Sequence, residues 1–194
     1  MHHIYHTEGI ILGSNNFGEA GKYYFIFTRE LGMIAASAQG VRKMQSKLRF
    51  VLQDYSYIRA DLVRGKDFWR LTSASKTSEL DGLVRNFALL PIVSGISRLL
   101  RRLLAGEEAN PELFDAVKEG FAVLEKTAEE KQNLSNAEAV IVLRILNHLG
   151  YVGESEALSS LVRSPLSGEL LIEAGEHRAK MLTEINRALR ETNL

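Results

Sequence analysis

The sequence predicts an α+β chain, a small five-stranded β-barrel over residues 1–77 followed by an all-helical domain over 78–194. Three observations carry this. Up to about Ser75, short apolar runs alternate and are separated by Gly and polar clusters. From Ser78 the apolar period becomes helical, with capping residues at the ends. The formal charge, zero overall, divides with the pattern: residues 1–77 hold 11 Lys/Arg against 6 Asp/Glu, and the remainder holds 13 against 18. A basic first part and an acidic second part point to a polyanion handled by the first and proteins by the second.

The strands are expected at Tyr5 to Ser14, Lys22 to Thr28, Met33 to Gln39, Phe50 to Val63 and Phe68 to Ser73. Asn15-Asn16-Phe17-Gly18 reads as the first turn, Arg29-Glu30-Leu31-Gly32 as a tight hairpin, and Arg64-Gly65-Lys66-Asp67 as a third turn. In the second strand Tyr23, Phe25 and Phe27 point one way and Tyr24, Ile26 and Thr28 the other. One face must fill the barrel, and the other must meet something. Among the helices, Pro91 divides an early pattern into a short piece and a helix running to about Leu104. Asn110 caps a helix whose first residue is Pro111. Ser135 and Glu138 read as a capping box for a helix Ala137 to Leu149 that Gly150 ends. The last helix, about Glu176 to Glu191, carries Met181, Leu182, Ile185 and Leu189 on one stripe. The stretch Tyr151 to Gly175 has no legible pattern.

Composition removes several classes of function. At 194 residues the chain can bury about 70% of its unfolded surface, so neither disulfide nor metal is required for stability. The absence of cysteine excludes disulfides, thiolate metal sites and thiol nucleophiles, and favours a reducing cytoplasm. The N-terminus lacks a basic stretch followed by an apolar run, and no apolar segment reaches the roughly 20 residues a bilayer requires, so neither export nor membrane anchoring is expected. The stretch Gly13 to Lys22 fails as a phosphate-binding P-loop, because Asn16 stands where the first glycine belongs and Tyr23 replaces the metal-holding Ser/Thr. His2, His3 and His6 read as a frayed terminus rather than a metal site, and His148 complements a helix C-terminus. With no thiol nucleophile, facing carboxylate pair or phosphate-binding motif, the chain is predicted not to be an enzyme, and to need no metal or cofactor.

The segment Gly40-Val41-Arg42-Lys43-Met44-Gln45-Ser46-Lys47-Leu48-Arg49 holds four cations and no acid, with a strand expected on either side. Nucleic acid needs cations along its backbone and π-surfaces for unstacked bases. Arg42, Lys43, Lys47 and Arg49 can supply the first; in extended conformation Lys47 and Arg49 share a face. Phe50, Tyr55, Tyr57 and Trp69 are the candidates for base stacking, against an alternative reading as core. Arg98, Arg101 and Arg102 form a basic stripe at helical spacing where an acidic peptide tail can dock.

Gly9-Ile10-Ile11-Leu12, Phe17-Gly18-Glu19-Ala20, Phe27-Thr28-Arg29-Glu30-Leu31-Gly32 and Gly40-Val41-Arg42-Lys43 through Ser46-Lys47-Leu48-Arg49 together resemble the N-terminal half of RecO, the bacterial recombination mediator family. The resemblance covers about the first 75 residues. It implies an OB-fold barrel and a helical domain, single-stranded DNA binding, strand annealing and recombinase loading in DNA repair. It also implies association with RecR, contact with the acidic tail of single-stranded-DNA-binding protein, and work in the cytoplasm on the nucleoid. Carried onto this chain, the family's DNA-contacting loop corresponds to Arg42 and Lys43, with Lys47 and Arg49 next. Many members carry a four-cysteine zinc finger, which a chain without cysteine does not have. Two other readings of the residues stand beside this one: an OB-type RNA-binding module, and a protein-binding scaffold whose basic loop meets an acidic partner.

Overall fold

Both faces of the second strand are apolar because one lines a closed barrel and the other is met by other parts of the chain. The computed structural model describes residues 3–153 and 155–192. It divides into two compact units, 1–114 and 115–194. In the first, β1 (Ile4–Phe17), β2 (Gly21–Thr28), β3 (Gly32–Ala38), β4 (Tyr57–Arg64) and β5 (Trp69–Lys76) close in the order β1-β2-β3-β5-β4. All neighbours are antiparallel except β3 and β5, which join in parallel through only Ala36↔Trp69 and Ser37↔Arg70. This is an OB-like barrel followed by helices, the α+β architecture the patterning predicts.

The barrel interior holds Ile11, Tyr24, Ile26, Ile34, Ile58, Leu62 and Trp69. Burial pushes the Tyr24 phenol up to about 12, with the Asp54 carboxylate adding to the shift, so the ring sits in the core neutral. On the outer face of β2, Phe27 packs edge-on against Phe114, with 5.4 Å between centroids, and Phe25 lies 3.9 Å beneath the guanidinium of Arg101.

Strand limits differ from the sequence expectation in several places. β1 runs on through Asn15 and Asn16 to Phe17, which pair with Tyr23, Lys22 and Gly21. The polar residues read as a turn are therefore strand, and the reversal falls on residues 18–20. The third turn shifts by one, to Gly65 through Phe68, closed by a 3.0 Å bond from the Gly65 N–H to the Phe68 carbonyl. The long strand expected from Phe50 is instead a helical turn, α1 (Leu48–Val51), then a connection, then β4. Leu52 and Val41 are buried in the barrel core, with Leu48 and Val51 packed against it, and that plugging role overrides the extended preference of the sequence. The Arg29 to Gly32 hairpin is as expected, with the Thr28 hydroxyl donating to Gly32 O at 2.8 Å and accepting from Leu31 N–H at 3.1 Å.

The first unit continues past the barrel through α2 (Asp81–Arg85) and α3 (Leu90–Leu103), the latter with Pro91 in its first turn and packing against β1. It then enters α4 (Pro111–Lys126), where Asn110 accepts from Leu113 N–H at 3.0 Å, the cap that the sequence announces. Asn110→Ala is expected to destabilise the protein by about 1 kcal/mol in a urea titration, and Asn110→Ser to leave it nearly unchanged.

In the second unit, α5 (Lys131–His148) is buried on nearly all sides and packs against α6 (Ser159–Arg163), α7 (Gly168–Glu176) and α8 (Arg178–Glu191). The expected capping box is corrected: α5 begins at Lys131, so Ser135 lies inside it, and the Ser135 hydroxyl accepts from Arg178 Nη2 at 2.8 Å. The C-terminus is as expected. Gly150, at φ 77°, lets its own N–H reach Asn147 O and that of Tyr151 reach Leu146 O, both at 2.9 Å. The illegible stretch is a 3₁₀ turn (Glu156–Leu158), α6 and most of α7, whose buried Leu158, Leu161, Leu166, Leu170 and Leu171 come from pieces too short to show a period. In α8 the buried stripe is Met181, Ile185 and Ala188, with Leu182 at its exposed edge.

Candidate nucleic-acid interface

The connection from β3 to β4 has two sides. Its apolar residues Val41, Leu48, Val51 and Leu52 face the barrel core. Its cations face out: Arg42, Lys43, Lys47 and Arg49 are all exposed. A chain of backbone bonds fixes this division. Arg42 N–H donates to Ala20 O at 2.9 Å, tying the segment to the β1–β2 reversal. Lys43 N–H donates to Gly40 O and Ser46 N–H to Lys43 O, both at 3.0 Å, and Phe50 N–H donates to Lys47 O at 3.2 Å. Lys47 and Arg49 are thus in helical turn conformation, not extended, and the strand-face argument for their alignment is corrected.

Several other basic side chains of the first unit are paired with acids. Arg59 pairs with Glu8 at 3.3 Å, Lys76 with Asp81 at 2.6 Å, and Arg64 with Glu107. Among the described residues none of the four loop cations has an ion-pair partner. Their charge is directed at solvent, which is where a polyanion would be.

Of the stacking candidates, Phe50 is 63% exposed, with the Arg49 guanidinium 5.2 Å from its ring centroid, and Met44 of the same loop is 87% exposed. Trp69 and Tyr57 are corrected as stacking surfaces. Trp69, 4% exposed, is barrel core, flanked by the Tyr5 edge at 5.0 Å and the Arg64 guanidinium at 4.9 Å. Tyr57, 1% exposed, lies 6.4 Å from Phe114 and donates to Glu8 Oε2 at 2.5 Å. Tyr55 is half-buried in a left-handed conformation, φ 69°, and its N–H is held by Ile11 O at 2.8 Å, far back along β1 from the basic loop's tie at Ala20.

Three rings absent from the list of stacking candidates cluster near the β1–β2 reversal to which the loop is bonded. Phe17, Tyr23 and Phe68 form a chain with centroid separations of 4.3 and 4.8 Å, and Phe17 and Phe68 are 46% and 45% exposed. A Cβ at Gly21 would stand 2.9 Å from Phe17 O and 3.5 Å from its ring, so the glycine leaves the space in which Phe17 lies across β2. The available signal was two phenylalanines in segments otherwise made of turn residues.

Arg98, Arg101 and Arg102 are exposed on α3, opposite its buried Val93, Ile96 and Leu100. Arg101 is engaged over Phe25, so the three do not act as one free stripe. At the N-terminus, His3 packs edge-on against Tyr5, and His6, in β1, has its Nδ1 2.6 Å from Asp61 Oδ1 on β4, so these two are not frayed; His2 lies outside the described residues. Among the described residues no three His, Asp or Glu side chains gather as a metal site, and no helix is long and apolar enough to cross a membrane.

The family model described as Recombination protein O N terminal matches residues 1–79, which span the whole barrel, and that described as Recombination protein O C terminal matches residues 86–153. The chain belongs to the RecO family. Proteins named DNA repair protein RecO from Desulfitobacterium hafniense, Heliobacterium modesticaldum and Dehalococcoides mccartyi are 25%, 27% and 29% identical to it, over 76%, 78% and 70% of this chain. Those alignments cover 52%, 53% and 51% of the relatives, so the chain spans about half the length of the curated RecO proteins it matches.

Proposed function

We propose that this chain is a non-enzymatic mediator of DNA repair and recombination that binds single-stranded DNA through the loop Arg42 to Arg49 and promotes strand annealing and recombinase loading. The observation that carries the reading is the loop itself: four exposed cations without ion-pair partners among the described residues, on a backbone bonded to the barrel. Annealing needs no catalytic group. Cations along two strands lower their mutual repulsion, and a shared surface holds them close enough to pair. The names of the relatives favour DNA over RNA as the polymer. The same reading gives exposed Arg98 and Arg102 on α3 the acidic tail of single-stranded-DNA-binding protein as a partner, by charge complementarity, and adds a RecR-like mediator, with cytoplasmic work on the nucleoid.

With four phosphate contacts, the logarithm of affinity for single-stranded DNA is expected to fall with the logarithm of salt concentration at a slope of about −3, roughly 50-fold weaker binding between 50 and 200 mM. A gel shift across that range measures it, and competition by RNA of equal sequence reads the polymer preference. Binding that ignores salt, or no binding at the lower concentration, overturns the reading.

A further inference from the structure

We infer that Phe17, Tyr23 and Phe68 are a stacking platform for the unpaired bases of the strand whose phosphates the basic loop holds; the inference rests on the proposed nucleic-acid binding. The geometry supplies the argument. Side chains directly opposite in neighbouring strands share a face, and the pairings Asn15↔Tyr23, Tyr23↔Ser37 and Ser37↔Arg70 run one row across the outside of β1, β2, β3 and β5. The row inside it, Tyr24↔Ala36↔Trp69, is core. Of the three outward aromatic residues of β2, Phe27 is covered by Phe114 and Phe25 by Arg101, whereas the Tyr23 end carries only the half-exposed rings of Phe17 and Phe68.

Charge fixes what can lie there. Arg70 and Lys66 are exposed on one side, and the loop begins at the hydrogen bond from Arg42 to Ala20, three residues from both Phe17 and Tyr23. The acids Glu19 and Asp67 stand exposed in the turns next to Phe17 and Phe68. Acids in these flanking turns disfavour phosphate near the rings, and the unpartnered cations of the loop favour it there. A single strand laid with its phosphates on Arg42 and Lys43 has its bases on the ring side, where every base presents a π-face whatever its sequence. A duplex, with its bases already stacked inside, has nothing to offer these rings.

The test is a cycle of protein and strand. The wild-type chain and Phe17→Ala/Phe68→Ala are titrated with a single-stranded oligonucleotide and with an abasic strand of equal length and charge. Stacking predicts that wild type binds the abasic strand about ten- to a hundredfold more weakly than the base-bearing one. It also predicts that the double variant binds the base-bearing strand as weakly as wild type binds the abasic strand, with no further loss on removing the bases and with the salt slope unchanged. Phe17→Tyr/Phe68→Tyr restores binding to within about twofold, because the π-faces return. The two phenylalanines are half-exposed, so the alanine pair keeps the barrel, and unchanged urea unfolding of the variants checks this. Equal wild-type affinity for the two strands, or equal losses on both strands in the variant, overturns the platform and leaves the loop reading standing. Failure of wild type to bind either strand at low salt overturns both.

Discussion

Replacing Arg42 and Lys43 together by alanine is expected to reduce the salt slope of single-stranded DNA binding from about −3 to about −1.5, at each base composition alike. Each phosphate contact on a single strand releases about 0.7 of a counterion, so two lost contacts remove about 1.4 units. The fold should survive. Both side chains are exposed, and what they contribute locally is backbone: the amides that bond Ala20 O and Gly40 O, which alanine retains. Urea unfolding within about 0.5 kcal/mol of wild type checks this. Extending the change to Lys47 and Arg49 should flatten the slope almost completely. A slope that stays near −3 in the fourfold variant means the loop is only a turn, and the phosphate contacts lie elsewhere.

The second large effect is expected at Arg144, the one charged side chain in the buried face of α5. Its Nε donates to Leu161 O at 2.9 Å, its Nη2 to Ser164 O, and its Nη1 lies 3.5 Å from Glu119 Oε2. Burial lowers the guanidinium's pKa from its ordinary value and the Glu119 carboxylate opposes that, so the cation is retained by the carbonyls and the acid around it. Arg144→Ala strips the donors from two carbonyls at the end of α6, leaves a cavity, and is expected to cost about 3 kcal/mol. Arg144→Met fills the space without the hydrogen bonds and should cost less. Urea midpoints followed by far-ultraviolet circular dichroism separate the two. Equal losses in both variants would assign the effect to hydrogen bonding, and negligible loss in Arg144→Ala would remove its structural role.

The barrel was legible because its strands alternate and its reversals are rich in glycine: β2, β3 and the Arg29 to Gly32 hairpin stand where the residues indicate. What misled was local composition at positions decided by tertiary packing. Asn15 and Asn16 are turn-formers by preference, yet they pair with Tyr23 and Lys22 because the strand continues to seat Phe17 against β2. Phe50 to Ser56 looks extended, yet it forms a helical turn and connection because Leu48, Val51 and Leu52 are needed at the barrel core. Ser135 and Glu138 satisfy a capping pattern inside a helix, because Ser135 is engaged by Arg178 from 43 residues away, a contact no local window can contain. Of the candidate site, half was legible. A run of cations without acids is a linear property and was found; exposure is not, so Tyr57 and Trp69 looked equivalent to Phe50 until Phe114 and the core covered them. The Phe17, Tyr23 and Phe68 cluster joins residues from two strands and a turn, and only the register brings them together.

The parallel join between β3 and β5 is two residue pairs wide. So little ladder leaves the closure of the barrel to side chains, and Val41 and Leu52 at its core belong to the same connection that turns Arg42 to Arg49 toward solvent. The stopper and the handle are one segment. A ligand that grips the handle only while the stopper is seated stabilises the seated state by mass action, about 2.7 kcal/mol at a free concentration 100 times its Kd. If that ligand is a single strand held as proposed, binding it and keeping the barrel shut are linked in a single equilibrium.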